Sequence, residues 1–143
     1  MTLEPENSLD GHAVTLLGGE DVLGPIETAL DLHLALQAGL PASAWVQLRS
    51  HLSFAGPRFV ELLGSAPREG SRLSRLRSNR VWTFARLLVR ATDVLGGPAA
   101  AVDWLARPAM ALERRRPVDL LTTCVGRQMV KDHLTRMDLG VHT

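Results

Sequence analysis

Ser74-Arg75-Leu76-Arg77-Ser78-Asn79-Arg80-Val81-Trp82-Thr83-Phe84-Ala85-Arg86-Leu87-Leu88-Val89-Arg90-Ala91-Thr92-Asp93-Val94-Leu95-Gly96-Gly97 is the stretch whose reading decides the fold. Leu76, Val81, Phe84, Leu87, Leu88, Ala91 and Leu95 recur at three- and four-residue spacings until the glycine pair, the period of an amphipathic helix. The spacing predicts one long central helix over 74–95, with an aliphatic packing face, Phe84 on it and Trp82 at its margin. Arg75, Arg86 and Arg90 are expected to reach outward on their long stems. Ser74 and Ser78 stand where helix caps are useful, because a hydroxyl there accepts from an otherwise unpaired backbone N–H.

Composition agrees with a helical class. The chain has 143 residues, 45% of them hydrophobic, with no Tyr and only three Phe. Strands favour aromatic and β-branched residues, whereas Ala and Leu favour helices. The expected fold class is all-α, and the length allows one core or two small ones.

Downstream of the central helix, Pro98 suits a first helical turn and opens Ala99 to Ala106, ending before Pro108. The small alanines let Trp104 approach neighbouring helices. A compact turn through Ala111-Leu112 follows, then Pro117 opens Leu120-Leu121. Val125 to Met137 reads as a last helix with Met129, Val130, Leu134 and Met137 on one face, and Gly140 as its C-cap. Upstream, Pro25 is expected to start a helix carrying Ile26, Ala29, Leu30, Leu32, Leu34 and Leu36 until Gly39 stops it. Pro41 and Ser43 restart the chain with Trp45, Leu48 and Leu52 facing inward, and Gly56-Pro57 separates that helix from Phe59 to Gly64. These short helices are compatible with a helix-turn-helix bundle and with other small helical domains. Residues 1–20 show no sustained period and are expected to form a flexible arm.

The net charge is only +1, yet it is unevenly distributed. Acidic residues dominate the first thirty-odd positions, while Arg68, Arg72, Arg75, Arg77 and Arg80 make the middle basic. Clustered guanidinium groups suit nucleic-acid phosphates, and solvated helix faces carry such runs too. Arg114-Arg115-Arg116 beside Glu113 forms a second basic knot, suited to an acidic surface or a phosphate, or simply to an exposed turn.

Chemistry has little foothold. The five histidines are scattered with no HExxH spacing, and Gly18-Gly19 and Gly96-Gly97 lack the context of a phosphate loop. The single cysteine, Cys124, has no His beside it and is expected to be packed in the interior. No enzyme activity, cofactor or metal is expected. Met1-Thr2-Leu3-Glu4 has neither the basic start nor the apolar core of a secretory signal, and no stretch approaches about eighteen uninterrupted apolar residues, so the expected setting is cytoplasmic, without a membrane partner.

The C-terminal half resembles the Xre/MbcA/ParS antitoxin family. The resemblance rests on Ala91 with Gly96, Ala101, Trp104-Leu105, Pro108, Leu112, Pro117-Val118-Asp119-Leu120-Leu121 with Thr122 and Thr123, Gly126, Val130, and Leu134-Thr135-Arg136 with Gly140. It spans about residues 74–142. It implies an antitoxin without chemistry of its own, whose partner is a RES-domain toxin that consumes NAD and whose C-terminal domain occludes the toxin's active-site cleft. It also implies a homodimer within a larger toxin–antitoxin complex and an Xre-like N-terminal part that binds promoter DNA and represses the operon.

The domain organisation so implied is a flexible arm over 1–20, an Xre-like DNA-binding-type domain over 21–73 and an antitoxin domain over 74–143. Trp104, Arg127, Lys131, Leu134, Arg136, Met137, Gly140, His142 and Thr143 are the toxin-binding candidates; Arg68, Arg72, Arg75, Arg77 and Arg80 are the DNA-binding ones. The chain departs from the family's usual pattern in running Ser65 to Ser74 and Arg77-Ser78-Asn79-Arg80 as a shorter, more basic stretch. Pro67 and Gly70 there favour phosphate contact over base readout. The competing reading is a stand-alone helix-turn-helix regulator whose C-terminal half only dimerises.

Overall fold

The structure, a computed structural model, describes residues 8–52 and 61–140. Its helices are α1 (Ser8–Leu16), α2 (Glu20–Leu23), α3 (Ala29–Ala38), α4 (Ala42–His51), α5 (Arg75–Leu95), α6 (Pro98–Ala106) and α7 (Cys124–Asp138), with 3-10 turns at Met110–Leu112 and Pro117–Leu120. No strand occurs among the described residues, in keeping with the all-α expectation; Pro41 with Arg72 and Ala109 with Arg115 form isolated antiparallel bridges.

The chain divides into two compact units. One comprises Met1–Phe54 and Leu63–Arg86, the other Ala55–Leu62 and Leu87–Thr143. The division falls inside α5. One helical stripe can supply apolar side chains to two cores along its length, so the helix period carries no mark of the division.

In the first unit, Leu40, Ala44, Trp45, Leu48, Leu52, Leu73, Val81, Phe84 and Ala85 are buried. The stretch read as a flexible arm contains α1, with Ala13 and Leu17 both fully buried. Among the described side chains of α1 and its end, these two are the fully buried ones. α1 packs on α2, and α2 on α4. Asp10 of α1 meets Arg86 of α5, with Arg86 Nε 2.7 Å from Asp10 Oδ1.

The start of α3 differs from the expectation based on Pro25. Thr28 is the N-cap, its Oγ1 accepting from the Asp31 N–H at 3.1 Å while Asp31 Oδ2 accepts from the Thr28 and Glu27 N–H groups at 3.1 and 3.0 Å. This reciprocal capping box satisfies donors that Pro25, lacking an N–H, only avoids presenting. α3 buries none of its residues, and Leu30 and Leu34, expected on a packing face, stand exposed.

The turn from α3 to α4 is laced to the entry of α5. Leu73 N–H donates to the Leu40 carbonyl at 2.8 Å, Ala42 N–H to the Ser71 carbonyl at 2.9 Å, and Arg72 Nη1 to the Gly39 carbonyl at 2.8 Å. Gly39 sits at φ 95°, and a Cβ there would run into the Leu73 carbonyl oxygen, so both conformation and space require glycine. Ser74 caps α5, its Oγ accepting from the Arg77 N–H at 3.1 Å. Ser78 does not cap it: the side chain is fully buried and its Oγ accepts from the Leu40 N–H at 2.8 Å. Leu76, placed on the packing face by its spacing, is 70% exposed. Trp82, assigned to the margin, is buried. Of the helix expected over 59–64, residues 59 and 60 lie outside the described residues, while 61–63 are helical and Leu63 is buried.

In the second unit, Leu87, Leu88, Ala91, Ala101, Val102, Leu105, Leu112, Val118, Leu121, Val130 and Leu134 form the core. Pro98 occupies the first turn of α6. The turn at Pro117–Leu120 packs against both α6 and α7, and α7 also meets the turn at Met110–Leu112. Thr123 caps α7, its Oγ1 accepting from the Gly126 N–H at 2.9 Å. Gly126 is buried, and a Cβ on it would collide with the Leu120 carbonyl oxygen. This glycine lets the last helix lie directly on the Pro117–Leu120 backbone.

Candidate partner-binding surface

α7 is divided lengthwise by its sequence. Gly126, Val130, His133 and Leu134 are buried and Met137 is half-buried, which fixes the inward face. Val125, Met129, Asp132, Arg136 and, at the C-cap, Leu139 follow one another at three- and four-residue steps and are all exposed. Val125 and Leu139 are each 73% exposed, so this outer stripe begins and ends with apolar side chains and carries opposite charges between them. Apolar anchors with a charged surround are features of binding surfaces. The sequence reading placed Met129 on the packing face, whereas the structure places it outside with Val125 and Leu139. The i, i+4, i+7 register of a second, outward stripe was present, but only the structure separates the two faces.

The toxin-binding candidates are distributed unequally over this surface. Arg136 and Gly140 are exposed, and Arg127, Lys131 and Met137 are half-buried along the edge of the stripe. Leu134 is fully buried. It belongs to the core and can affect a partner only by holding α7, because a leucine stripe at helical spacing marks burial before contact. Gly140, at φ 77° just past the C-cap, donates its N–H to the Met137 carbonyl at 3.1 Å and terminates the helix. His142 and Thr143 lie outside the described residues.

Trp104 is half-buried, its ring centroid 5.7 Å from that of His133 with the planes tilted by 31°. The His133 side chain is buried, and its Nδ1 has no hydrogen-bond partner among the described residues. Desolvation, with Arg136 adding like-charge repulsion, lowers the imidazole pKa from its ordinary value. Arg127 reaches back toward the helix start, with Nη1 donating to the Leu121 carbonyl at 3.2 Å and Nη2 to Cys124 Sγ at 3.0 Å. Cys124 is therefore exposed and not packed inside, a correction that follows from its position in the first turn of α7, on the side turned away from the core. Arg90 of α5 braces the far end of α7 through Asp138 at 3.2 Å.

The basic candidates of the first unit also separate. Arg77 Nη2 donates to the carbonyls of Leu63 and Ser65, and Arg72 is bound to Gly39, so both guanidinium groups bind the chain's own backbone. The guanidinium groups of Arg68, Arg75 and Arg80 are exposed and have no hydrogen-bond or ion-pair partner among the described residues. No group of three or more His, Cys, Asp or Glu able to hold a metal occurs among the described residues. No described helix is long and apolar enough to cross a membrane.

The second unit is closed by an amphipathic terminal helix whose outward stripe mixes apolar and charged side chains. Residues 90–140 match the family model of the antitoxin Xre/MbcA/ParS C-terminal toxin-binding domain. The match covers the second unit from the end of α5 to the end of α7. The family is one of antitoxins and not of enzymes. No curated protein matches the chain.

Proposed function

We propose that this chain is the antitoxin of a toxin–antitoxin pair, that its partner is a RES-domain toxin that consumes NAD, and that it neutralises the toxin by covering the active-site cleft with the outer stripe of α7. The observation that carries this reading is the coincidence of the toxin-binding-domain match over 90–140 with the stripe Val125, Met129, Arg136 and Leu139. Arg127, Lys131, Met137 and Trp104 frame it. Inhibition is by occlusion, since the surface offers apolar anchors and charges but no nucleophile–base pair.

The first unit supplies the DNA-binding half of the proposal. Arg68, Arg75 and Arg80 contact phosphates of the operon's promoter, while Arg72 and Arg77 hold the turn that presents them. A homodimer supplies the second half-site. The setting is the cytoplasm.

The test is co-purification of the full chain with the product of the adjacent reading frame, with NAD loss measured with and without the chain. A defined complex that stops NAD loss supports the antitoxin. A free dimer that shifts its own promoter and leaves NAD loss untouched would replace this reading with that of a stand-alone regulator. Within a complex, removal of residues 140–143 combined with Arg136→Glu is expected to impair inhibition while leaving the thermal unfolding of the chain in place. Full inhibition by that variant would remove the terminus from the contact.

A further inference from the structure

The run from Arg107 to Arg116 has no part in the surface just described, yet it is built for contact. Leu112, almost fully buried, anchors it, and Pro117 closes it in the core. Between them Ala109 N–H donates to the Arg115 carbonyl at 3.0 Å, Arg114 N–H to the Ala109 carbonyl at 2.9 Å, and Arg115 N–H to the Leu112 carbonyl at 3.1 Å. The loop is thus held by its own backbone. Arg114, Arg115 and Arg116 are all exposed, with no ion-pair partner among the described residues, and Met110 on the same loop is 70% exposed.

The backbone at the tip is unusual. Glu113 and Arg114 lie in the left-handed region at φ 57° and 64°, while every other described position in that region holds glycine. Non-glycine side chains are disfavoured there, and such positions persist where the side chain or its placement matters. Glycine at 113 and 114 would ease the turn but remove one guanidinium and loosen the other two. Retention of Arg114 under this strain points to a use for its side chain.

We propose that Met110 and Arg114–Arg116 form a second docking element, recognising a carboxylate-rich surface on the protein partner. This rests on the antitoxin reading given above and specifies the chemistry of the partner at a place away from its cleft. Arginine forks bind carboxylates in bidentate pairs, and arginine and methionine are both enriched at protein interfaces. A loop pre-ordered by its own hydrogen bonds loses little freedom on binding. The exposed methionine beside the charges favours a protein surface over a nucleic-acid backbone, whose phosphates and sugars give it no apolar partner.

The experiment is titration of the full chain against the purified product of the adjacent reading frame at low and high salt. Arg114→Glu with Arg115→Glu and Arg116→Glu is expected to weaken binding at least tenfold at low salt and to flatten its salt dependence. A second variant, Glu113→Gly with Arg114→Gly, keeps two charges, is expected to unfold no earlier than the parent, and weakens binding severalfold. Unchanged affinity in both variants, with the parent chain binding, overturns this inference and leaves the antitoxin reading standing. Loss of affinity for generic duplex DNA with partner binding intact overturns it in favour of phosphate contact. Failure of the parent chain to bind overturns both.

Discussion

At the scale of single residues, the structure turns on a few groups whose neighbours leave no room for choice. Gly126 is one: a methyl group there meets the Leu120 carbonyl, so Gly126→Ala is expected to cost at least about 1–3 kcal/mol, as overpacking does, with a lower melting temperature as the readout. Ser78 is another, since Ser78→Ala strips the Leu40 N–H of its buried acceptor, a loss of about 1–3 kcal/mol by denaturant unfolding. His133 sets a pH dependence. Its pKa is lowered in the fold by burial first and by Arg136 second, so below about pH 6.5 the unfolded chain binds the proton more readily than the folded one. Its contribution is therefore fully present above that pH and is lost as pH falls toward the folded pKa. Melting temperature is expected to drop on acidification, and His133→Phe to remove part of that slope; an identical slope in the variant would refute the assignment. None of these three roles was legible in the sequence: a small residue, a hydroxyl and a lone histidine acquire them only from what the fold brings opposite.

At the scale of elements, the sequence was informative where a helix has one wet face and one dry one. α5 lies within a residue of its expected bounds and α4 starts where expected, because Trp45, Leu48, Val81, Phe84 and Leu88 keep the helical period and are all buried. Starts were harder to read. Pro25 drew attention away from Thr28 and Asp31, whose side chains do the capping, and the N–H groups of Glu27 first and Thr28 second, donating to it, hold the Asp31 carboxyl below its usual range. Thr123 has the corresponding place on α7; Thr123→Ala is expected to lose about 0.5–2 kcal/mol, read by unfolding, and to fray the first turn where Val125 and Arg127 stand. In α1, among the described side chains, packing is reported by Ala13 and the following Leu17, a spacing that does not by itself declare a helix.

At the scale of the whole molecule, the family resemblance was read from motif residues that prove to be structural: Leu105, Val118, Leu121, Gly126, Val130 and Leu134 are all buried. Motifs of this kind report packing, which is why Leu134 proves buried, while the exposure of Val125 and Leu139 is seen only in the structure. The basic run behaves similarly, since sequence reports charge and not which arginines are already engaged. Replacing Arg68, Arg75 and Arg80 by Ala is expected to lower the salt slope of promoter binding by about 3, each lost phosphate contact removing close to 0.9. An unchanged slope would take these residues out of the DNA contact. Finally, the exposed Sγ of Cys124 is the only thiol in the entire chain. A thiol-reactive fluorophore can therefore be attached at one known point without engineering a site, at the start of α7 beside Val125, and the natural protein becomes its own reporter for whatever settles on that helix.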